Sequence, residues 1–239
     1  MNIIANLFNG KPILVQGLGL IHQPKVDMLL TTGIEIEKLM MPFCVSTDAL
    51  ELSAELKADF KNFDLLFLQH FQKEPNEPRS LLEMLESSLK VLMGTNHVHI
   101  NFDEMCINVN ESGRLDRNNF DELAEVVFAI LHREKPKYEK KKQLTEKQQS
   151  IMDKLNKHRQ AKAKKNETKL EDMLNVVIHG GTSFIPYTEV VEFTYWQLIN
   201  TYASIVTIDG YKEFLAYKSS GQFEIKDQVD HWIKQLKLK

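Results

Sequence analysis

Two imidazoles, His97 and His99, stand two residues apart in an alternating stretch, which places both on one face of a strand. With Asp103, Glu104 and Cys106 close by, the segment has the residue types of a metal site. A structural site takes about four ligands, and no convincing set of four presents itself. A surface strand face is the expectation, with no metal. Gly17-Leu18-Gly19-Leu20-Ile21-His22 begins like a dinucleotide-binding fingerprint. However, His22 stands in the place of the third glycine, and Pro24 stands where the phosphate-binding helix would open. The phrase reads as a glycine-rich turn. His179-Gly180-Gly181 is similar to the oxyanion loop of lipases, yet no Gly-x-Ser-x-Gly nucleophile elbow accompanies it, and a helix C-cap explains the glycines better. Cys44 and Cys106 have no local base or resolving partner and read as inert thiols. No P-loop, EF-hand loop, zincin helix or kinase signature is present. The expectation is therefore no catalytic residue, no cofactor and no enzymatic activity.

The elements that would position such residues belong to an ordinary globular chain. It has 239 residues, 43% hydrophobic and 26% charged, enough for one or two domains with a real core. Two cysteines make a disulfide framework untenable and favour a reducing compartment. No run approaches the ~18 apolar residues of a membrane span. Met1–Phe8 lacks the pattern of a secretory leader, so a cytoplasmic location is the expectation and a membrane is not expected as a partner.

Periodicity and punctuation divide the chain into three parts, expected as an α+β domain over 1–132, a basic polar helix or linker over 133–169 and a helical domain over 170–239. The fold class expected is α+β, predominantly helical. In the first part Ile3–Phe8 and Ile13–Gln16 flank Asn9-Gly10, the strongest short hairpin signal. Val26–Thr31 reads as a helix closed by Gly33, Ile34–Met41 as one stopped by Pro42, and 48–60 as a capped helical run whose pattern resumes, after a break at Asn62, over Phe63–Phe71. Leu81, Leu82, Leu85, Leu89 and Leu92 make an amphipathic helix ended by Gly94. His97–Phe102 and Met105–Val109 read as paired strands, Asn110–Gly113 as a loop, and Phe120–Leu131 as a helix. In the last part Leu170–Ile178 forms a helix ended by Gly180-Gly181, and Glu189–Ile205 another. Gly210 and Gly221 are read as separating the later helices of a small bundle around Trp196 and Trp232.

Charge is segregated. Residues 133–169 hold 14 basic and 5 acidic side chains, a net of +9, which leaves the rest of the chain at −12 within the overall −3. Such a segment reads as a solvated helix, a partner surface or, with only two arginines and Tyr138 as its one aromatic, least well as a nucleic-acid contact. Leu144, Ile151 and Leu155 give it a thin apolar stripe. Lys140, Lys141, Lys142, Ile151, Leu155 and Arg159 are its candidate partner-binding residues, joined by Trp196 and Trp232 from the last part. Both tryptophans also read as core residues.

Several phrases resemble proteins of tailed phages and prophages of Gram-positive hosts. They are Gly10-Lys11-Pro12-Ile13, Gly17-Leu18-Gly19, His22-Gln23-Pro24-Lys25-Val26, the stretch from Gly33 to Met41, Leu115-Asp116-Arg117-Asn118-Asn119-Phe120-Asp121-Glu122-Leu123, Phe193-Thr194-Tyr195-Trp196-Gln197-Leu198, Gly210–Tyr217, Gly221 and His231-Trp232-Ile233. Their order is similar to that of tail assembly chaperones. The resemblance implies a non-enzymatic role in tail morphogenesis. Such a protein would hold the tape-measure protein soluble and deliver tail-tube subunits to it. Structural virion component and nucleic-acid-binding regulator are the alternatives, and homo-oligomerisation is left open.

Overall fold

The computed structural model describes residues 3–49, 59–74, 78–136, 168–220 and 229–236, together with Met152 and Leu155. Helices dominate, and two small antiparallel sheets accompany them. Helix α1 (Ile3–Phe8) leads into a hairpin of β1 (Ile13–Val15) and β2 (Gly19–Ile21), with Ile13 opposite Ile21 and Val15 opposite Gly19. Helices α2 (Val26–Thr32) and α3 (Ile36–Met40) follow, then α4 (Asn62–Gln72) and α5 (Leu81–Met93). A second sheet holds β3 (Val98–Asn101), β4 (Cys106–Val109) and β5 (Gly113–Leu115) in that order, and α6 (Phe120–Ile130) closes the first part. The last part comprises α7 (Leu170–His179), the short α8 (Tyr187–Val190), the 25-residue α9 (Tyr195–Ser219) and α10 (Trp232–Gln235).

Local sequence accounts for the central elements. Ser80 caps α5 by accepting from the Glu83 N–H, and Glu83 reaches back to the Ser80 N–H at 2.6 Å, which is a capping box. Leu82, Leu85, Leu89 and Leu92, all fully buried, form the inward face of α5. They meet Leu123, Val127 and Ile130 of α6 and the rings of Phe43, Phe63 and Phe120 within one main core. Each such side chain contributes roughly 1.5–3 kcal/mol on full burial.

Four sequence expectations change. Ile3–Phe8 is a helix and not a strand: Asn9-Gly10 ends it, with the Lys11 N–H bonded to the Asn6 carbonyl at 2.9 Å. The left-handed conformation that suits Asn-Gly to a hairpin serves a helix C-terminus equally well, and Gly10 takes φ 62. The hairpin lies one step later, turning at Gly17. The loop after β4 leads into a third strand, β5. The run Glu189–Ile205 is broken, because Thr194 caps a new helix by accepting from the Gln197 N–H. Gly210 does not separate two helices; α9 runs through it. A mid-helix glycine costs about 1 kcal/mol relative to alanine, too little to break a helix tethered by its buried first turns.

The expected boundaries at 132/133 and 169/170 do not separate the packing. Tyr195 and Trp196 of α9 lie in the main core, while Val26 of α2 lies in a second cluster with Leu174, Val177, Ile178, Val190 and Leu198. Of the expected helical run at 48–60, residues 50–58 lie outside the described residues, as does Gly221; Asp48 and Ala49 stand in a short 3-10 turn, Thr47–Ala49.

Candidate partner-docking surfaces

The phrases with chemistry-like spacing turn out to be joints. Thr194 and Gln23, both buried, sit at the centre of one. The Thr194 hydroxyl donates to Gln23 Oε1 at 3.1 Å, and Gln23 Nε2 donates to the carbonyls of Asn6 and Lys11, each at 3.0 Å. Gln197 Nε2 donates to the Phe8 carbonyl at 2.8 Å. The backbone completes the clasp: Tyr195 N–H to Pro24 O at 2.8 Å, Val26 N–H to Phe193 O at 2.9 Å and Asp27 N–H to Val191 O at 3.0 Å. Every buried polar atom named here has a partner, which burial in a low-dielectric core requires. The entrance of α9 is thus stitched to the stretch between α1 and α2.

A second joint holds Gly17-Leu18-Gly19 against the start of α6. Asn119 Nδ2 donates to the carbonyls of Gln16 at 3.2 Å and Arg114 at 2.8 Å, and the Arg114 N–H donates to Gly17 O at 2.9 Å. Gly113 lies so close that a Cβ there would stand 2.4 Å from the Leu18 carbonyl oxygen. The glycine-rich phrase is therefore a hairpin turn, in the arrangement the missing third glycine led one to expect.

His97 and His99 are exposed on either side of buried Val98. Among the described residues no group of three His, Cys, Asp or Glu side chains is placed to hold a metal ion. Burial raises the Cys106 thiol, which keeps it protonated. A pairing that sequence reasoning missed is His70 Nδ1 with Ser80 Oγ at 2.9 Å. The Ser80 oxygen is buried and already accepts the first-turn N–H of α5, so this histidine supports a helix cap. The T-x-x-Q cap at Thr194 and the S-x-x-E cap at Ser80 were both available as sequence signals.

Of the candidate partner-binding residues, Lys140, Lys141, Lys142, Ile151 and Arg159 lie outside the described residues. Leu155 is exposed. Trp196 is fully buried, edge-on to Phe8 with ring centroids 4.8 Å apart, and so serves the core; it presents nothing to a partner in this structure. Trp232 is half-buried beside His231, whose ring lies 5.1 Å from that of Tyr211.

The two ends of the basic segment meet. Arg133 and Lys169 line one cleft of about 550 Å³ together with Glu35, Glu37 and Glu171. Arg133 reaches Glu37 at 3.5 Å. The described residues at either end of the segment therefore share one cleft. A different feature offers accessible apolar surface. In α9, Tyr195, Trp196 and Leu198 are buried, whereas Val206, Leu215 and Tyr217 are exposed. At about 1.5 Å per residue the helix spans roughly 37 Å, so its distal half extends well past its buried first turns. Among the described residues no helix is long and apolar enough to cross a membrane.

Residues 161–237 match the family model of the YomV second domain, a phage-derived family. No curated protein and no solved structure matches the chain.

Proposed function

We propose that this protein acts in phage tail morphogenesis as an assembly chaperone. It binds the tape-measure protein, keeps it soluble and delivers tail-tube subunits to it, in the host cytoplasm and without making or breaking a covalent bond. The similarity of residues 161–237 to a phage-derived family supports the phage setting. The observation that carries the binding role lies in the same stretch: α9 is anchored by its first turns and leaves Val206, Leu215 and Tyr217 in contact with solvent. Val206 and Tyr217, about 20° apart around the helix, share one side of it, and an apolar side of this kind is what a partner helix packs on. The acidic remainder of the chain, at −12 outside residues 133–169, adds long-range steering towards basic partner segments.

The test is co-expression with the tape-measure protein of the same phage. Increased solubility and co-purification support the role. A tape-measure protein that stays insoluble, together with this chain recovered in purified particles, assigns it instead to the virion structure.

A further inference from the structure

A second exposed apolar surface lies away from α9. At the end of α4 the rings of Phe67, His70 and Phe71 gather around Phe102, which follows β3. Phe102 stacks on His70 with centroids 5.1 Å apart, and Phe71 and Phe67 stand 5.9 and 6.2 Å from it. Phe67 is buried beneath, while Phe71 is 62% and Phe102 42% exposed. Two large rings kept in water side by side are uncommon on a surface with no partner. The hairpin that carries Phe102 also presents Met105. Met105, also exposed, takes φ 47 as the last residue of the β3–β4 turn and adds a third apolar side chain to this surface.

The charges around the patch select its partner. Lys73, two residues past Phe71, pairs with Glu83 at 2.9 Å, and Arg114 lies 2.6 Å from Glu104 and 3.8 Å from Asp116. The Asp103 carboxylate, exposed beside Phe102, has no ion-pair partner among the described residues. The patch is thus apolar at its centre and negative at its edge. We propose that this aromatic patch docks a basic amphipathic helix of a partner protein, with apolar side chains seated on Phe71 and Phe102 and a lysine or arginine facing Asp103. The inference rests on the partner-binding role and names a surface for it.

The probe is a fluorescein-labelled 18-residue amphipathic peptide of leucine and lysine, with a leucine–glutamate peptide of the same pattern as control, read by fluorescence anisotropy on the full chain. The expected result is binding of the lysine peptide only. Phe71→Ser with Phe102→Ser should weaken it at least tenfold, and Asp103→Lys, an exposed change that leaves the packing alone, at least threefold. Should the double variant fail to fold, Asp103→Lys decides alone. Equal binding to wild type and variants, or no binding to wild type, overturns the proposal. Self-association of the wild-type chain that is lost in the same variants assigns the patch to a second copy and likewise overturns it. Wild type that captures the peptide but not the tape-measure protein ends the chaperone reading and leaves the patch standing. A double variant that loses the peptide yet still solubilises the tape-measure protein does the reverse for the patch's part in that role.

Discussion

Gln23 and Thr194 are 171 residues apart in sequence and joined by a buried hydrogen bond of 3.1 Å, the Thr194 hydroxyl donating to the Gln23 amide oxygen. The same hydroxyl accepts from the Gln197 N–H and opens α9. Replacing it removes a helix cap and leaves Gln23 Oε1 without its donor. Thr194→Val should cost about 2 kcal/mol, from the usual values of a lost N-cap and an unsatisfied buried acceptor. Urea unfolding measures it. A double-mutant cycle with Gln23→Leu should show coupling of about 1 kcal/mol. Additive costs would mean that the clasp does not hold the two segments together.

The clasp also bears on the stretch that matches the YomV second domain. That stretch borrows Val26 for its own cluster and gives Tyr195 and Trp196 to the main core. Residues 161–239 expressed alone should therefore lack cooperative thermal unfolding. In the full chain, Trp232→Phe leaves Trp196 as the single tryptophan, and its emission should be blue-shifted and resist iodide quenching, as befits a fully buried indole. An autonomously folded fragment, or a quenchable red-shifted Trp196, would contradict this packing.

Glu83 gives the fold a predictable acid response. Hydrogen bonds from Lys73 and from the Ser80 N–H hold its carboxyl down to about 2, against 4.5 ordinarily. A depressed carboxyl contributes stability that is complete above its unfolded-state value and is lost as pH falls through the folded one. The urea midpoint should therefore drop between about pH 4.5 and 2, and Glu83→Gln should flatten that part of the profile while lowering stability at neutral pH. An unchanged slope in the variant would show that the capping box with its lysine is not what titrates.

Two glycines should respond in opposite directions. At Gly113 an added Cβ would press on the backbone oxygens of Leu18 at 2.4 Å and Val109 at 2.8 Å, so Gly113→Ala should destabilise by more than about 2 kcal/mol. At Gly210 a Cβ meets nothing within 4 Å inside a regular helix, so Gly210→Ala should stabilise by up to about 1 kcal/mol. Thermal unfolding followed by circular dichroism checks both. A destabilising Gly210→Ala would mean that α9 is not continuous there.

The fold was legible where one local signal has one use. The leucine ladder of α5 and its Gly94 closure are written in the residues, as is the β3–β4 pairing. It was not legible where one signal serves two structures. Asn9-Gly10 suits a hairpin turn and a helix end alike, and only the packing of Leu7 into the core decides between them. Gly210 breaks an isolated helix but not one tethered by buried first turns. The aromatic patch was invisible for a further reason. Phe71 and Phe102 belong to separate periodic segments, each of which reads as burying its apolar side chains, and their shared exposure exists only once α4 and β3 are side by side.

The central claim is that this chain works by holding another protein, and co-expression with the tape-measure protein of its own phage measures it most directly. The expected result is a soluble tape-measure protein that co-purifies with this chain, which is itself absent from finished particles. A tape-measure protein that aggregates to the same extent with and without it would contradict the claim.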